Sequence, residues 1–248
     1  MMKKNMVVIL MIFAIISMAC TVSGISIDVN RTEGSGILTK EERQLNEFSE
    51  IALAGIGNLY IVQGDENKVI IEAEDNILPK LTTNIQGDKL TIGVERGMNI
   101  LPTQEINYYI TMVEINDIQM LGAGNVKVTD LETDKLSMKL TGFGSMDIKN
   151  LSANTLDVMI SGAGDVNIAG EVNRQKINIT GAGNYNAEDL LSQTATVTVS
   201  GLGNSNLWVE EDLSVVISGG GNINYYGNPK TNRTITGLGK LSSRGEHY

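Results

Sequence analysis

Few side chains in this chain can do chemistry, and the shortage narrows the function. The 248 residues hold one histidine, His247, and one cysteine, Cys20. One histidine cannot build a multi-histidine metal site, and one beside the last residue is a poor buried general base. One cysteine forms no intrachain disulfide and no thiolate zinc site. Carboxylates are the remaining reactive groups. Asp130, Glu132 and Asp134 make one group; Glu188, Asp189, Glu210, Glu211 and Asp212 make another. Glycoside hydrolysis needs two carboxyls about 5–10 Å apart across a cleft. These acids fall mainly in stretches read as turns, where solvated carboxylates are the rule. A lyase would need a basic residue beside a metal-binding acid cluster, and Arg174 and Arg233 have no such cluster beside them in sequence. No calcium-loop motif is present. The chain is therefore expected to be non-catalytic, without cofactor or metal. A polysaccharide lyase or hydrolase is the enzymatic alternative.

Binding chemistry has better candidates. Trp208 and Tyr226 occupy equivalent places in adjacent repeats, on the outward side of the strand alternation. An exposed aromatic pair on neighbouring strands can stack on sugar rings; packing against a loop or cap is the competing reading. The formal charge is −10, and Lys and Arg are not clustered, which argues against nucleic acid as a partner. The expected partner is a polysaccharide or an envelope protein. A structural or signalling role through a protein partner stands beside it.

The elements that would position these groups are set by a repeat. Gly-x-Gly followed by a mostly small polar residue recurs eight times, with first glycines at 55, 122, 142, 162, 181, 201, 219 and 237. From 122 onward the spacings are 20, 20, 19, 20, 18 and 18. Apolar residues alternate with period two on both sides of each step, as in Val126/Val128, Leu136/Met138/Leu140 and Leu156/Val158/Ile160. That is strand periodicity. Asn-Gly and Asp-Gly pairs, the hairpin signal, are rare, so each unit reads as one coil of a β-solenoid rather than a hairpin. Stacked coils rise about 4.8 Å each. Glycine would let the chain bend at a corner and let neighbouring backbones approach. Asn58, Asn125, Ser145, Asp165, Asn184, Asn204 and Asn222 follow the glycines and are expected to form a hydrogen-bonded structural ladder. The residues between the glycines, among them Phe143, Leu202 and Leu238, are expected to turn inward; an outward stripe is the alternative.

The ends differ from the repeat. Lys3 and Lys4, the apolar run Met6–Ile16 and Ser17-Met18-Ala19 form an export signal over residues 1–20. Cys20 follows Ala19 as in a lipobox, so it is expected to be lipidated and to supply the only membrane attachment. Ordinary cleavage after Ala19 or Gly24, or a retained signal, are the alternatives. Removing Lys3 and Lys4 takes the formal charge from −10 to −12. Residues 21–46 read as a polar tether, 47–121 as irregular first coils forming a β cap, and 122–248 as the regular coils, with 242–248 frayed. A separate small β domain ending near residue 105 is the alternative for the first part.

The chain resembles the head GIN domain family of autotransporter adhesins over about residues 47–241. The resemblance rests on Phe48-Ser-Glu-Ile51, Gly55-Ile-Gly-Asn-Leu-Tyr-Ile-Val-Gln-Gly64, Val69-Ile-Ile-Glu-Ala73 and the run of Gly-Ala-Gly-Asn steps. Lys240 departs from the pattern at the last step. The resemblance implies an all-β, right-handed parallel β-helix-like fold, often on an exported lipoprotein of the cell envelope. It implies no established activity and no catalytic residues.

Overall fold

The structure, a computed structural model, describes residues 31–247. The export signal with Cys20 and the first residues of the expected tether lie outside the described residues. Among the described residues, eighteen strands and one 3-10 turn, Leu78–Lys80, make up the secondary structure. The first ten strands are short: β1 (Arg31–Glu33), β2 (Leu38–Arg43), β3 (Glu50–Leu53), β4 (Ile56–Gln63), β5 (Lys68–Glu74), β6 (Leu81–Gln86), β7 (Lys89–Val94), β8 (Asn99–Leu101), β9 (Asn107–Met112) and β10 (Asp117–Met120). Five long bent strands follow: β11 (Ala123–Leu140), β12 (Phe143–Ile160), β13 (Ala163–Ile179), β14 (Asn184–Val199) and β15 (Ser205–Ile217). The chain closes with β16 (Ile223–Tyr226), β17 (Lys230–Ile235) and β18 (Leu241–Ser243).

From β11 to β15 each strand is one rung, and every rung pairs in parallel with the next. The register follows the sequence repeat: Gly124 aligns with Gly144 and Gly164, and Leu136 with Leu156. The protein is an all-β solenoid of stacked parallel coils. Its core is the inward half of the alternation, with Leu136, Leu140, Met146, Leu156, Ile160 and Val166 fully buried. β-branched and unbranched apolar residues stack on their equivalents one rung away, so each rung is stabilised by the two beside it.

The glycines are required by contact. A methyl group at Gly142 would overlap the carbonyl oxygen of Gly122 in the rung below; one at Gly144 would overlap that of Gly124. Gly144 also has φ of 131°, a region that other residues avoid. From the rung of β14 onward, Gly183, Gly203 and Gly221 no longer need positive φ, but a side chain there would still meet backbone. Phe143, Leu202 and Leu238, between the glycines, point outward, not inward as expected, whereas Ile56 is half-buried and packs against the core. Phe143 is 69% exposed, Leu202 73% and Leu238 91%. The bend turns within the glycines themselves, so the residue between them caps the corner from outside.

The N-terminal coils end in antiparallel additions. β4 pairs in parallel with β9, but β9 then pairs antiparallel with β5, and β5 with β2. On the other sheet β3 pairs with β7, and β7 closes a hairpin with β6. These additions cover the open edge of the first rung. The segment 21–46 is not wholly a tether: β1 and β2 lie within it, and Glu74 holds them. Its buried carboxylate accepts hydrogen bonds from Gly36 N at 2.6 Å, Thr103 Oγ1 at 2.6 Å and Thr103 N at 2.8 Å.

The C-terminal end is finished differently. β17 aligns Arg233 with Val215 and Thr231 with Leu213, placing polar residues in columns that elsewhere carry core. An inward-facing charge on an edge strand disfavours further pairing. The stretch 242–247 is not frayed. β18 pairs with β16, Arg244 N donates to Tyr225 O at 2.8 Å and Gly227 N to Gly245 O at 2.9 Å. The last coil therefore closes despite Lys240, whose backbone N donates to Asn222 Oδ1 at 3.2 Å.

Candidate functional site

The expected ladder forms, with one gap. Asn125 Nδ2 donates to Asn58 Oδ1 at 3.0 Å, and Ser145 N to Asn125 Oδ1 at 3.2 Å. Higher up, Asn184 Nδ2 donates to Asp165 Oδ1 at 2.8 Å, Asn204 Nδ2 to Asn184 Oδ1 at 3.1 Å and Asn222 Nδ2 to Asn204 Oδ1 at 3.3 Å. Among the described residues no hydrogen bond joins Ser145 to Asp165. The Asp165 side chain has no N–H to donate downward, and the Ser145 hydroxyl has Asn125 Oδ1 and Asp147 Oδ2 within reach at 3.0 and 2.9 Å.

A second ladder, missed in the sequence, runs two residues further along each rung. Asn167 Nδ2 donates to Asp147 Oδ1 at 2.5 Å, Asn186 to Asn167 at 2.8 Å, Asn206 to Asn186 at 3.2 Å and Asn224 to Asn206 at 2.8 Å. Below Asp147 the same column carries Lys127, Tyr60 and Tyr109 in register. The two tyrosine rings stack at 5.4 Å with planes 19° apart. Lys127 Nζ lies 5.8 Å from the Tyr60 ring and Lys40 Nζ 5.2 Å from the Tyr109 ring, so ammonium groups close the stack at both ends. Tyr109 Oη donates to Glu72 Oε2 at 2.9 Å, and Lys40 pairs with Glu72 at 3.2 Å. The Tyr109 hydrogen bond, then Lys40, hold the Glu72 carboxyl below its usual range; the same bond raises the Tyr109 phenol.

This column borders a groove of about 870 Å³ crossing the rungs of β4, β11, β12, β13 and β14. A neighbouring outward column supplies Val62, Thr129, Lys149, Ala169 and Glu188. Small Ala169 and the Asn167 amide form the low middle. The aromatic stack rises at one end. At the other, β14 carries extra residues relative to both neighbours, and the resulting bulge pushes out Glu188 and Asp189. The groove thus offers tyrosine edges and hydroxyls, lysines 127 and 149, and side-chain amides. Each ladder amide of Asn167 and Asn186 uses one N–H and one oxygen lone pair along the column, leaving one of each for a ligand.

Trp208 and Tyr226 align in register as expected, but they are half-buried. The His247 ring stacks on Trp208 at 4.2 Å and meets Tyr226 edge-on at 5.3 Å. Trp208 Nε1 donates to Glu210 Oε1 at 2.6 Å, and His247 Nε2 lies 3.6 Å from Asp189. The packing reading of this pair is the one seen. Of the candidate acids, Asp130 accepts from Asn150 at 3.2 Å and Asp134 from Asn154 at 3.2 Å, as members of surface ladders, whereas Glu188 and Asp189 line the groove together. Among the described residues no three His, Cys, Asp or Glu side chains are placed to hold a metal ion.

Comparison with known proteins agrees with this architecture. The family described as "Putative auto-transporter adhesin, head GIN domain" matches residues 47–229. No curated protein matches the chain. Among solved structures, one described as a putative adhesin from Bacteroides fragilis is 24% identical, with a TM-score of 0.83 over 86% of this chain and 99% of that one. A second from Parabacteroides merdae, described in the same words, is 19% identical with a TM-score of 0.66, again over 86% and 99% of the two chains. A structure from Parabacteroides distasonis, described as a putative lipid binding protein, is 19% identical with a TM-score of 0.68 over the same shares. With stacked parallel rungs, glycine corners and a family match spanning most of its length, the chain belongs to the head GIN domain family of auto-transporter adhesins.

Proposed function

We propose that this protein is an exported, non-catalytic binding module of the cell envelope, lipid-anchored through Cys20, whose groove holds an extended polysaccharide. The carrying observation is the amide column: Asn167 and Asn186 present one spare donor and one spare acceptor per rung, at the rung repeat of about 4.8 Å. A bound chain meets the same pair of groups at each step when its own repeat is close to one rung. A sugar ring measured across its glycosidic oxygens is such a unit. An extended peptide advances about 3.4 Å per residue and drifts out of register within two rungs. The groove volume lies within the range of ordinary ligand sites. Tyr60 and Tyr109 supply hydroxyls and apolar edges for ring hydrogens at one end. The family resemblance to adhesins supports the coarser reading of a binding module, and the single histidine, His247, is not among the groove-lining residues.

A glycan array probed with the purified protein tests the reading. Binding is expected to fall at least tenfold with Asn167→Leu plus Tyr60→Ala, and to persist with Trp208→Ala, which lies outside the groove lining. Array binding unchanged in the double variant, or release of reducing or unsaturated sugar ends by the protein, refutes it. An envelope protein is the second candidate ligand; it would appear as crosslinks from the groove to a polypeptide with no glycan retained.

A further inference from the structure

The last coil meets the acidic end of the groove through one side chain. His247, the sole histidine, follows β18 and packs against three other strands. β15 supplies Trp208, stacked on the imidazole at 4.2 Å with planes 10° apart. β16 supplies Tyr226, edge-on at 5.3 Å. β14 supplies Asp189, whose Oδ1 lies 3.6 Å from Nε2. The His247 side chain is 21% exposed and that of Asp189 72%. Asp189 and Glu188 stand on the β14 bulge that ends the groove, and among the described residues His247 is the only ion-pair partner of Asp189.

The segment carrying the ring is lightly held. β18 is a three-residue edge strand paired only with β16. Beyond it Arg244 N donates to Tyr225 O at 2.8 Å and Gly227 N to Gly245 O at 2.9 Å, while residues 244–246 are exposed. Such edges open locally at small cost. What the ring adds to the closed form depends on its charge. At 3.6 Å the contact between Nε2 and Asp189 is too long for a hydrogen bond, so it attracts only when the imidazole is protonated. A charged ring also gains from the face of Trp208. Glu210, next on β15, accepts from Trp208 Nε1 at 2.6 Å and sets another carboxylate at the indole edge. The charged groups about the ring are thus Glu188 and Asp189 from β14 and Glu210 from β15, with the Tyr226 phenol from β16. Arg244 and Glu246 flank it on its own segment. All but Arg244 and the phenol are acids, and carboxylates in their usual range keep their charge down to about pH 5.

Histidine is the side chain that ordinarily changes charge between about pH 5 and 8. We infer that His247 is a pH-sensitive clasp: protonated, it seats the last coil against Asp189 at the end of the groove, and neutral, it lets that segment open. The consequence for a ligand rests on the groove reading above. Seated, the clasp engages a carboxylate that is otherwise free to accept from a sugar hydroxyl, so acid weakens the hold on a neutral glycan at that end.

Amide exchange in the purified protein without glycan tests the clasp. Protection at Arg244 and Gly227, corrected for the intrinsic effect of pH, reads the closed-to-open ratio. It is expected to be about 1.4- to 5-fold higher near pH 5.5 than near pH 7.5, the range of an exposed ion pair. The rise should vanish in His247→Gln and shrink in Asp189→Asn, with protection at Gly142 the same in all three proteins. Both substitutions lie on the surface, and unchanged circular dichroism confirms the coil. Equal protection at the two pH values, a rise that survives His247→Gln, or one undiminished in Asp189→Asn overturns the proposal. With no glycan present, failure here leaves the groove standing, and failure of the groove leaves the clasp.

Discussion

Gly142→Ala probes the stacking of the corners. An added methyl at this position meets the carbonyl oxygens of Gly122 and Leu121, which are backbone and cannot rotate aside. The rungs must separate locally to admit it. Two hydrogen bonds cross that gap, Gly142 N to Met120 O at 3.1 Å and Phe143 N to Gly122 O at 3.0 Å. Weakening both costs about 1 kcal/mol each, and forced overpacking adds about 1–3 kcal/mol. Reduced entropy of the unfolded chain offsets about 0.4–1 kcal/mol. The expected net loss is about 2–5 kcal/mol. Urea unfolding followed by circular dichroism reads it as a lower midpoint at unchanged slope. Gly36→Ala is a control, since nothing lies within 4 Å of a methyl there and only its φ of 79° opposes the change. That strain is about 1–2 kcal/mol and sits in the N-terminal arm. A Gly142→Ala loss under about 0.5 kcal/mol would refute direct backbone stacking at the corner.

Other expectations follow from single contacts. Tyr185→Phe removes the hydroxyl that donates to buried Gln175 Oε1 at 2.7 Å, leaving that oxygen unpaired, so unfolding free energy should fall by about 1–3 kcal/mol; an unchanged urea midpoint would contradict the buried network. Hydrogen bonds led by that from Thr103 lower the Glu74 carboxyl from its usual 4.5. A lowered folded value means that this contribution is complete above pH 4.5 and is lost as pH falls through the lowered value. Amide exchange at Gly36 and Thr103 should therefore rise selectively in acid and, at neutral pH, in Glu74→Gln. Trp208 is the sole tryptophan, and His247 covers one of its faces. His247→Ala should raise acrylamide quenching of its emission with no change in unfolding midpoint beyond about 0.5 kcal/mol.

Much of the fold was legible because one physical requirement recurs. Stacked corners admit no side chain, so glycine marks each turn of the coil, and Val126, Met146 and Val166 mark the same inward site twenty residues apart. The orientation of Phe143 was not legible. Strand alternation counts residues on a straight strand, and the count fails across Gly142-Phe143-Gly144, where φ of Gly144 reverses the local path. The arm β2, Leu-Thr-Lys-Glu-Glu-Arg, has no apolar period of its own and becomes a strand only through its pairing with β5. The groove was readable in part. Tyr60 follows Asn58 by two residues, as Lys127 follows Asn125 and Asn167 follows Asp165, so the second ladder repeats at the same offset as the first. Tyr109 sits in an irregular segment, and only the parallel pairing of β9 with β4 brings it onto Tyr60.

The groove itself is the claim that matters most for function, and amide exchange in the presence of purified envelope polysaccharide tests it most directly. The expected result is slowed exchange in five separated segments, 60–62, 127–129, 147–149, 167–169 and 186–189, which meet along one face of the stack. Protection confined to residues 130–134 of β11 and 150–154 of β12, or no protection at saturating glycan, would contradict the groove as the binding site.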